Sequence, residues 1–213
     1  NQSLKRTGLD YFDIFYTHRY DPETPVEETM QALVDIVRQG KALYVGISKY
    51  PPQQALRAID YLRERDVPAL IFQDRYSMLS RKPEQESLPV VDQSNMGFIA
   101  FSPLAQGVLT DKYLKGIPTD SRAADAAGFL RKEQVTPELI EKVSKLNEIG
   151  QERNQTMAQM AVSWVLSNKL VTSVIVGTRN VAQLDNNLDS LQNTYFTADE
   201  LTRIDNILDG ATL

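Results

Sequence analysis

The chain has 213 residues, 42% apolar and 24% charged, with 23 Lys and Arg against 28 Asp and Glu for a formal net charge of −5. This is the composition of an ordinary folded chain with one sizeable core, and its acidic balance leaves no basic excess to track a phosphate backbone, which excludes nucleic acid as a main partner. With no Cys and one His, disulfides, thiolate nucleophiles and Cys- or His-clustered metal sites are excluded, and the lack of Cys is compatible with a reducing, cytoplasmic setting.

The chain opens at Asn1 with NQSLKRTGL, which reads as the last turns of an amphipathic helix ending at Gly8. A helix tail with no visible beginning predicts a fragment of a longer protein. No apolar stretch approaches the roughly 20 residues of a membrane helix and no signal-peptide pattern is present, so membrane insertion is not expected.

A first strand is predicted over YFDIFYT, residues 11–17. Thr24-Pro25-Val26-Glu27 then reads as a capping box with Pro at the first helical position; Met30, Leu33, Val34 and Val37 keep helical spacing up to Gly40. A second strand, ALYVGIS at 42–48, precedes a helix opened by Pro51 and Pro52 with Leu56, Ile59 and Leu62 in register. Further strands are predicted over ALIFQ (69–73) and MGFIAFS (96–102). Residues 111–135 form a connection too long for a compact domain unless it is a lid, a binding loop or a disordered segment. Thr136-Pro137 starts a helix with Leu139, Val143, Leu146 and Ile149 on one face. Thr156-Met157-Ala158-Gln159 is a second capping box, leading to Met160, Ala161, Trp164 and Val165, a stripe better read as core than as a cofactor box. VTSVIVG (171–177) is the fifth strand, with its own helix after it, and Thr197-Ala198-Asp199-Glu200 caps a last helix.

These strands are apolar on both faces and alternate with amphipathic segments, which predicts an α/β class with parallel strands covered by helices, in a single domain over 1–213. There is no GxGxxG, no GxxxxGK[ST] and no GxSxG. In parallel α/β folds ligands bind at the carboxyl ends of the strands. That rule selects His18 and Arg19, Ser48 and Lys49, Gln73, Ser102, and then Gly177, Thr178 and Arg179. Ser and Gln are also common turn formers at such ends, so position alone leaves a binding rim and plain turn chemistry both open.

The runs GLDYFDIFYTHRYDP, GKALYVGISKY, FSPLAQGVLTDKYLKGIPTDSR and SVIVGTRNVAQLDNNL resemble the aldo-keto reductases, in that family's order and spacing along essentially the whole chain. The bacterial branch similar to the β-subunits of voltage-gated potassium channels is the nearest likeness. The resemblance implies a partial (β/α)8 barrel, its last five βα units plus a C-terminal extra helix. It implies NADPH as cofactor, a small aldehyde or ketone as substrate, and reduction to the alcohol by hydride transfer. Of the family's four catalytic positions (Asp, Tyr, Lys and His), only the His has a counterpart here, at His18; the chain alone is therefore expected to be inactive.

By the same resemblance Ser48 and Gln73 hold the nicotinamide carboxamide and Phe101 stacks on the ring, where relatives commonly have Tyr or Trp. Ser102, Pro103, Leu104, Ala105 and Gln106 cradle the pyrophosphate, and Lys112 and Arg122 clasp it from the long connection, unless those two are merely solvated loop charges. Gly177, Thr178, Arg179 and Gln183 surround the adenosine 2′-phosphate, with Asn186 and Asn187 at the adenine. Asn180-Val181-Ala182-Gln183 also fits a capping box, a role compatible with phosphate binding at a helix start. Two departures from the family pattern are Lys49, for a more usual Asn or Arg, and Asp74-Arg75-Tyr76-Ser77, for Pro-x-Tyr-Asn. An NADPH-binding regulatory subunit with little turnover is the alternative function, and a partial barrel without function unless completed is the structural one. Oligomeric state, a homo-oligomer included, is open because relatives range from monomers to rings.

Overall fold

The structure, a computed structural model, describes residues 1–119, 121–125 and 128–209. Parts of the long connection and the terminal residues 210–213 lie outside them.

Helix α1 (Gln2–Thr7) ends as its sequence predicts: Gly8 takes φ 71°, and its N–H donates to the Leu4 carbonyl. β1 (Phe12–Thr17) follows. α2 (Val26–Arg38) buries Met30, Leu33 and Val34, and Gly40, at φ 67°, turns the chain out of it. The capping box expected at Thr24 does not form. Thr24 Oγ1 donates instead to Asp21 Oδ2 at 2.8 Å, and Asp21 Oδ1 accepts from Glu23 N–H at 3.0 Å, so the preceding turn takes the hydroxyl and Pro25 becomes the cap. β2 (Ala42–Ser48) leads to α3 (Pro52–Arg63), with Pro at its first turn and Ile59 and Leu62 buried. After β3 (Ala69–Arg75) comes α4 (Ser87–Ser94), a helix the periodicity did not reveal. Its run Leu88-Pro89-Val90-Val91 is short and Pro-broken, and Pro89 is tolerated because it lies in the first turn.

β4 (Gly97–Phe101) is followed by the long connection, which contains short 3-10 turns at Asp111–Tyr113, Arg122–Ala124 and Lys132–Gln134. α5 (Pro137–Glu152) is capped by Thr136, whose hydroxyl accepts from Leu139 N–H at 3.2 Å. α6 (Met157–Ser167) starts with the expected reciprocal capping box of Thr156 and Gln159. β5 is shorter than predicted, Ser173–Ile175, and is followed by α7 (Val181–Leu188). α8 (Ala198–Leu208) carries the third capping box, Thr197 with Glu200. Three such caps, each typically contributing about 1 kcal/mol, fix where these helices begin.

The strands form one sheet in the order β1-β2-β3-β4-β5, a parallel α/β arrangement in which each strand neighbours the next in sequence. The chain divides into two compact units, Asn1–Asp74 with Lys82–Ile99, and Arg75–Arg81 with Ala100 onward. The first unit packs Met30, Val34, Val45, Ile47, Leu62 and Phe72 to near-complete burial, and the Phe72 and Phe98 rings stack at 6.4 Å. Burial of one such side chain stabilises by about 1.5–3 kcal/mol. The expected cover on both strand faces fails at Leu43, Tyr44 and Leu70, and at Ile175 in the second unit, all exposed.

In the second unit α5 packs on α6 and on α8, with Val143, Leu146, Met160, Ala161, Val165 and Ile204 buried between them. The Met and Trp stripe of α6 is thus core, and Trp164 meets the Tyr76 ring at 5.4 Å. Arg153, at the end of α5, bonds Glu200 Oε1 at 2.7 Å and the carbonyls of Asn193 and Tyr195, with its guanidinium 3.7 Å from the Phe196 ring centre. This buried cation locks the start of α8 to the end of α5.

Candidate active site

In the first unit three strands end in a row of polar side chains. Thr17, the last residue of β1, pairs in register with Ile47, and His18 and Ser48 are the residues that follow these two. Ser48 is itself the register partner of Gln73, and Lys49 N–H donates to the Gln73 carbonyl at 3.3 Å. Alternate residues of a strand share a face. Ser48 and Gln73 therefore form one layer at the carboxyl ends of β2 and β3, with His18 the first residue past the end of β1, and Tyr16, Gly46 and Ile71 form the layer beneath. Ser48 is buried, Gln73 half-buried and His18 exposed. The loop after β1 is supported by Tyr20, whose ring meets Tyr50 edge-on at 5.6 Å, while the Tyr50 and Thr17 hydroxyls lie 3.4 Å apart. Burial raises the pKa of the Tyr50 phenol, and the Thr17 contact pulls the other way. Beneath the row, burial likewise pushes Tyr16 up, while a hydrogen bond with the Gln73 side chain opposes the shift.

The second unit holds a cleft of about 1230 Å³. This is larger than the roughly 300–1,000 Å³ typical of small-ligand sites and suits an extended ligand. Phe101, Ser102, Pro103, Leu104 and Gln106 line it, as do Lys112, Arg122, Gly177, Arg179, Gln183, Asn186 and Asn187. Ala105, within the turn after β4, is fully buried, and Thr178 is exposed but does not line the cleft.

The turn after β4 is strained: Ser102, Ala105 and Gln106 have φ of 57°, 47° and 61°, and Gly107 has 94°. Left-handed backbone at non-glycine residues costs about 1–3 kcal/mol each and is concentrated at binding turns. Gln106 ties this turn to the long connection, accepting from Arg122 Nη1 at 2.8 Å and donating to Ser102 Oγ at 3.2 Å. On the opposite wall Asn180 caps α7 by accepting from Gln183 N–H at 2.9 Å. The expected box is altered, because Gln183 Oε1 accepts from Arg179 N–H at 2.9 Å and not from Asn180. The cap thereby also shapes the Gly177–Arg179 segment. An ideal Cβ at Gly177 would meet nothing within 4 Å, so the backbone there is open to a close approach.

Asn147, Gln151, Asn154, Gln155, Thr156 and Gln159 also line the cleft, an amide-rich wall that sequence reasoning missed. Thr156 and Gln159 were legible as a capping box and so read as structural. The Thr156 hydroxyl also donates to Asn186 Oδ1 at 3.2 Å, orienting an expected base contact. Three cations, the amino end of a helix and a row of amides together fit a dinucleotide phosphate. Among the described residues no group of three or more His, Asp or Glu could hold a metal ion, and no helix is long and apolar enough to cross a membrane.

A parallel α/β chain with a polar row at its strand ends and an anion-suited cleft has the layout of an α/β ligand-binding fold. The chain belongs to the aldo/keto reductase family, whose profile matches residues 1–209. It is 47% identical to the L-glyceraldehyde 3-phosphate reductases of Escherichia coli K12 and O157:H7, over 99% of this chain and 62% of each relative. It is 39% identical to a probable voltage-gated potassium channel subunit beta of Arabidopsis thaliana, over 89% of this chain and 59% of the relative. The chain thus spans about three fifths of the length of these relatives.

Proposed function

We propose that the whole protein reduces small aldehydes or ketones to alcohols with NADPH, and that this chain supplies the cofactor-binding surface and one catalytic residue, His18. The observation that carries the reading is the succession of His18, Ser48 and Gln73 at or just past the carboxyl ends of three consecutive parallel strands. Bound NADPH supplies the hydride. Negative charge then develops on the carbonyl oxygen, and His18 is the donor that holds it. The proton that completes the alcohol is left to the family's Tyr, activated by its Lys, roles for which no residue of this chain is proposed. Ser48 and Gln73 orient the carboxamide, and Phe101 covers one face of the ring. The Ser102–Gln106 turn, Lys112 and Arg122 hold the diphosphate, and Arg179 and Gln183 the 2′-phosphate, with Asn186 and Asn187 at the base.

The substrate class follows the reductase relatives' name: a small hydroxyaldehyde or its phosphate. The test is a purified whole protein assayed for loss of reduced-nicotinamide absorbance with glyceraldehyde 3-phosphate and unphosphorylated aldehydes, with NADPH and NADH in parallel. Turnover with NADPH is expected. Tight NADPH binding without turnover on any aldehyde would instead favour the regulatory alternative, which the likeness to a channel subunit supports.

A further inference from the structure

Gln159, at the third position of α6, has no part in the reading above, yet it stands half-buried on the wall of the cleft. Its side chain closes the capping box: Oε1 accepts from Thr156 N–H at 2.8 Å, while Gln159 N–H donates to Thr156 Oγ1 at 3.1 Å. A backbone N–H can only donate, so the end of the amide that meets Thr156 is the oxygen, and the –NH₂ is the end left over. The same commitment is repeated along the wall. Gln106 Oε1 accepts from Arg122 Nη1 at 2.8 Å, Asn180 Oδ1 from Gln183 N–H at 2.9 Å, and Gln183 Oε1 from Arg179 N–H at 2.9 Å. All three line the cleft with Gln159, and each partner is again a donor that cannot accept. The terminal torsion of an amide side chain is broad and nearly two-fold, so an unheld one presents either end. These four have their carbonyl ends taken by the protein, and the wall they form offers N–H groups.

We propose that Gln159 is a further ligand-binding residue of the cleft, its Nε2 donating to an acceptor at the adenosine end of the dinucleotide. The proposal rests on the reading of the cleft as the NADPH site. Thr156 sets the end: its hydroxyl, which accepts from Gln159 N–H, donates in turn to Asn186 Oδ1 at 3.2 Å, so the capping partner of Gln159 is bonded to a residue read as a base contact. A capping box needs only an oxygen at its third position, and Glu serves there as well as Gln. The –NH₂ of Gln159 is therefore the part of the side chain that the fold does not use. As a donor it takes a ribose or phosphate oxygen or a ring nitrogen, and it gives nothing to a ligand N–H.

The experiment titrates the whole protein by calorimetry with NADP⁺ and with adenosine 2′,5′-bisphosphate, which carries the adenosine end alone. Gln159→Met, similar in length and uncharged, should weaken both by the same factor, about 3- to 10-fold, the range of one neutral hydrogen bond. Gln159→Glu keeps the capping box, and with it the melting temperature, yet should weaken both ligands at low and at high salt, because a carboxylate has no N–H to give. A Met variant that binds both ligands as the wild type does would make Gln159 a helix cap alone and overturn the proposal. So would a Glu variant whose deficit disappears at high salt, since that is repulsion between charges and not a lost donor. Weaker NADP⁺ binding with the bisphosphate unaffected would overturn the assignment to the adenosine end. A wild-type protein that binds neither ligand removes the NADPH reading itself, and this inference with it.

Discussion

Arg122 Nη1 donates to Gln106 Oε1 at 2.8 Å, which ties a cation on the long connection to the strained turn that leaves β4. Gln106 passes the link to Ser102 Oγ at 3.2 Å. The guanidinium is thus held beside the cleft, with donors left over for an anion, because Arg carries five N–H groups.

Removing that cation should weaken cofactor binding more than it weakens the fold. Arg122→Ala is expected to raise the NADPH Kd of the whole protein by about 10- to 100-fold, the equivalent of one charge-assisted hydrogen bond to a phosphate. The melting temperature without cofactor should move little, since Arg122 is exposed. Titration at low and high salt checks the electrostatic origin: the gap between variant and wild type should narrow as salt rises.

Arg179 is expected to read the 2′-phosphate. It is exposed, lines the cleft, and follows the open backbone at Gly177. Arg179→Ala should lose about 1.5–3 kcal/mol of NADPH binding and little of NADH binding, because only NADPH carries the extra phosphate. Equal loss for both cofactors would assign Arg179 to another part of the ligand.

His18→Ala in the whole protein should lower kcat by about 10²- to 10³-fold, the usual effect of removing one donor from a developing oxyanion. The NADPH Kd should stay within about 2-fold, since the three cleft cations, Lys112, Arg122 and Arg179, lie in the other compact unit. Single-turnover kinetics with saturating cofactor separate the two.

Acid should loosen the start of α8. Burial alone would raise the pKa of Glu200, but hydrogen bonds from the Thr197 backbone, Arg153 and the Thr197 hydroxyl outweigh it, and the net shift is downward from 4.5. A depressed carboxylate pKa gives stability that is complete above the unfolded value and is lost as pH falls through the folded one. Glu200→Gln should therefore cost about 1–3 kcal/mol at neutral pH, partly by leaving the buried Arg153 without its counter-charge. The difference in melting temperature between variant and wild type should shrink as pH falls below the ordinary glutamate value of 4.5.

Much of the fold was legible in the sequence because its signals are local. The caps at Thr136, Thr156 and Thr197 each close a bond three residues away, so residue type and spacing suffice to find them. The strands at 42–48 and 69–73 stood out as short apolar runs, and β2 has the predicted bounds. The resemblance carried the site residues further than any spacing could, and the structure brings twelve of them to one cleft.

What the sequence could not determine were choices between competing local partners and the pairings between distant elements. Thr24 prefers Asp21 to its own helix, a choice between two nearby partners that the pattern alone does not rank. α7 buries Asn187 and exposes Val181, Leu184 and Leu188, the reverse of what polarity predicts for a lone helix. Only strand register sets Ser48 against Gln73 and Tyr16 against Gly46, because a shift of one residue would turn each side chain to the opposite face. Composition and local hydrogen bonding determine which segments become helix or strand; packing between strands far apart in sequence decides which side chains meet.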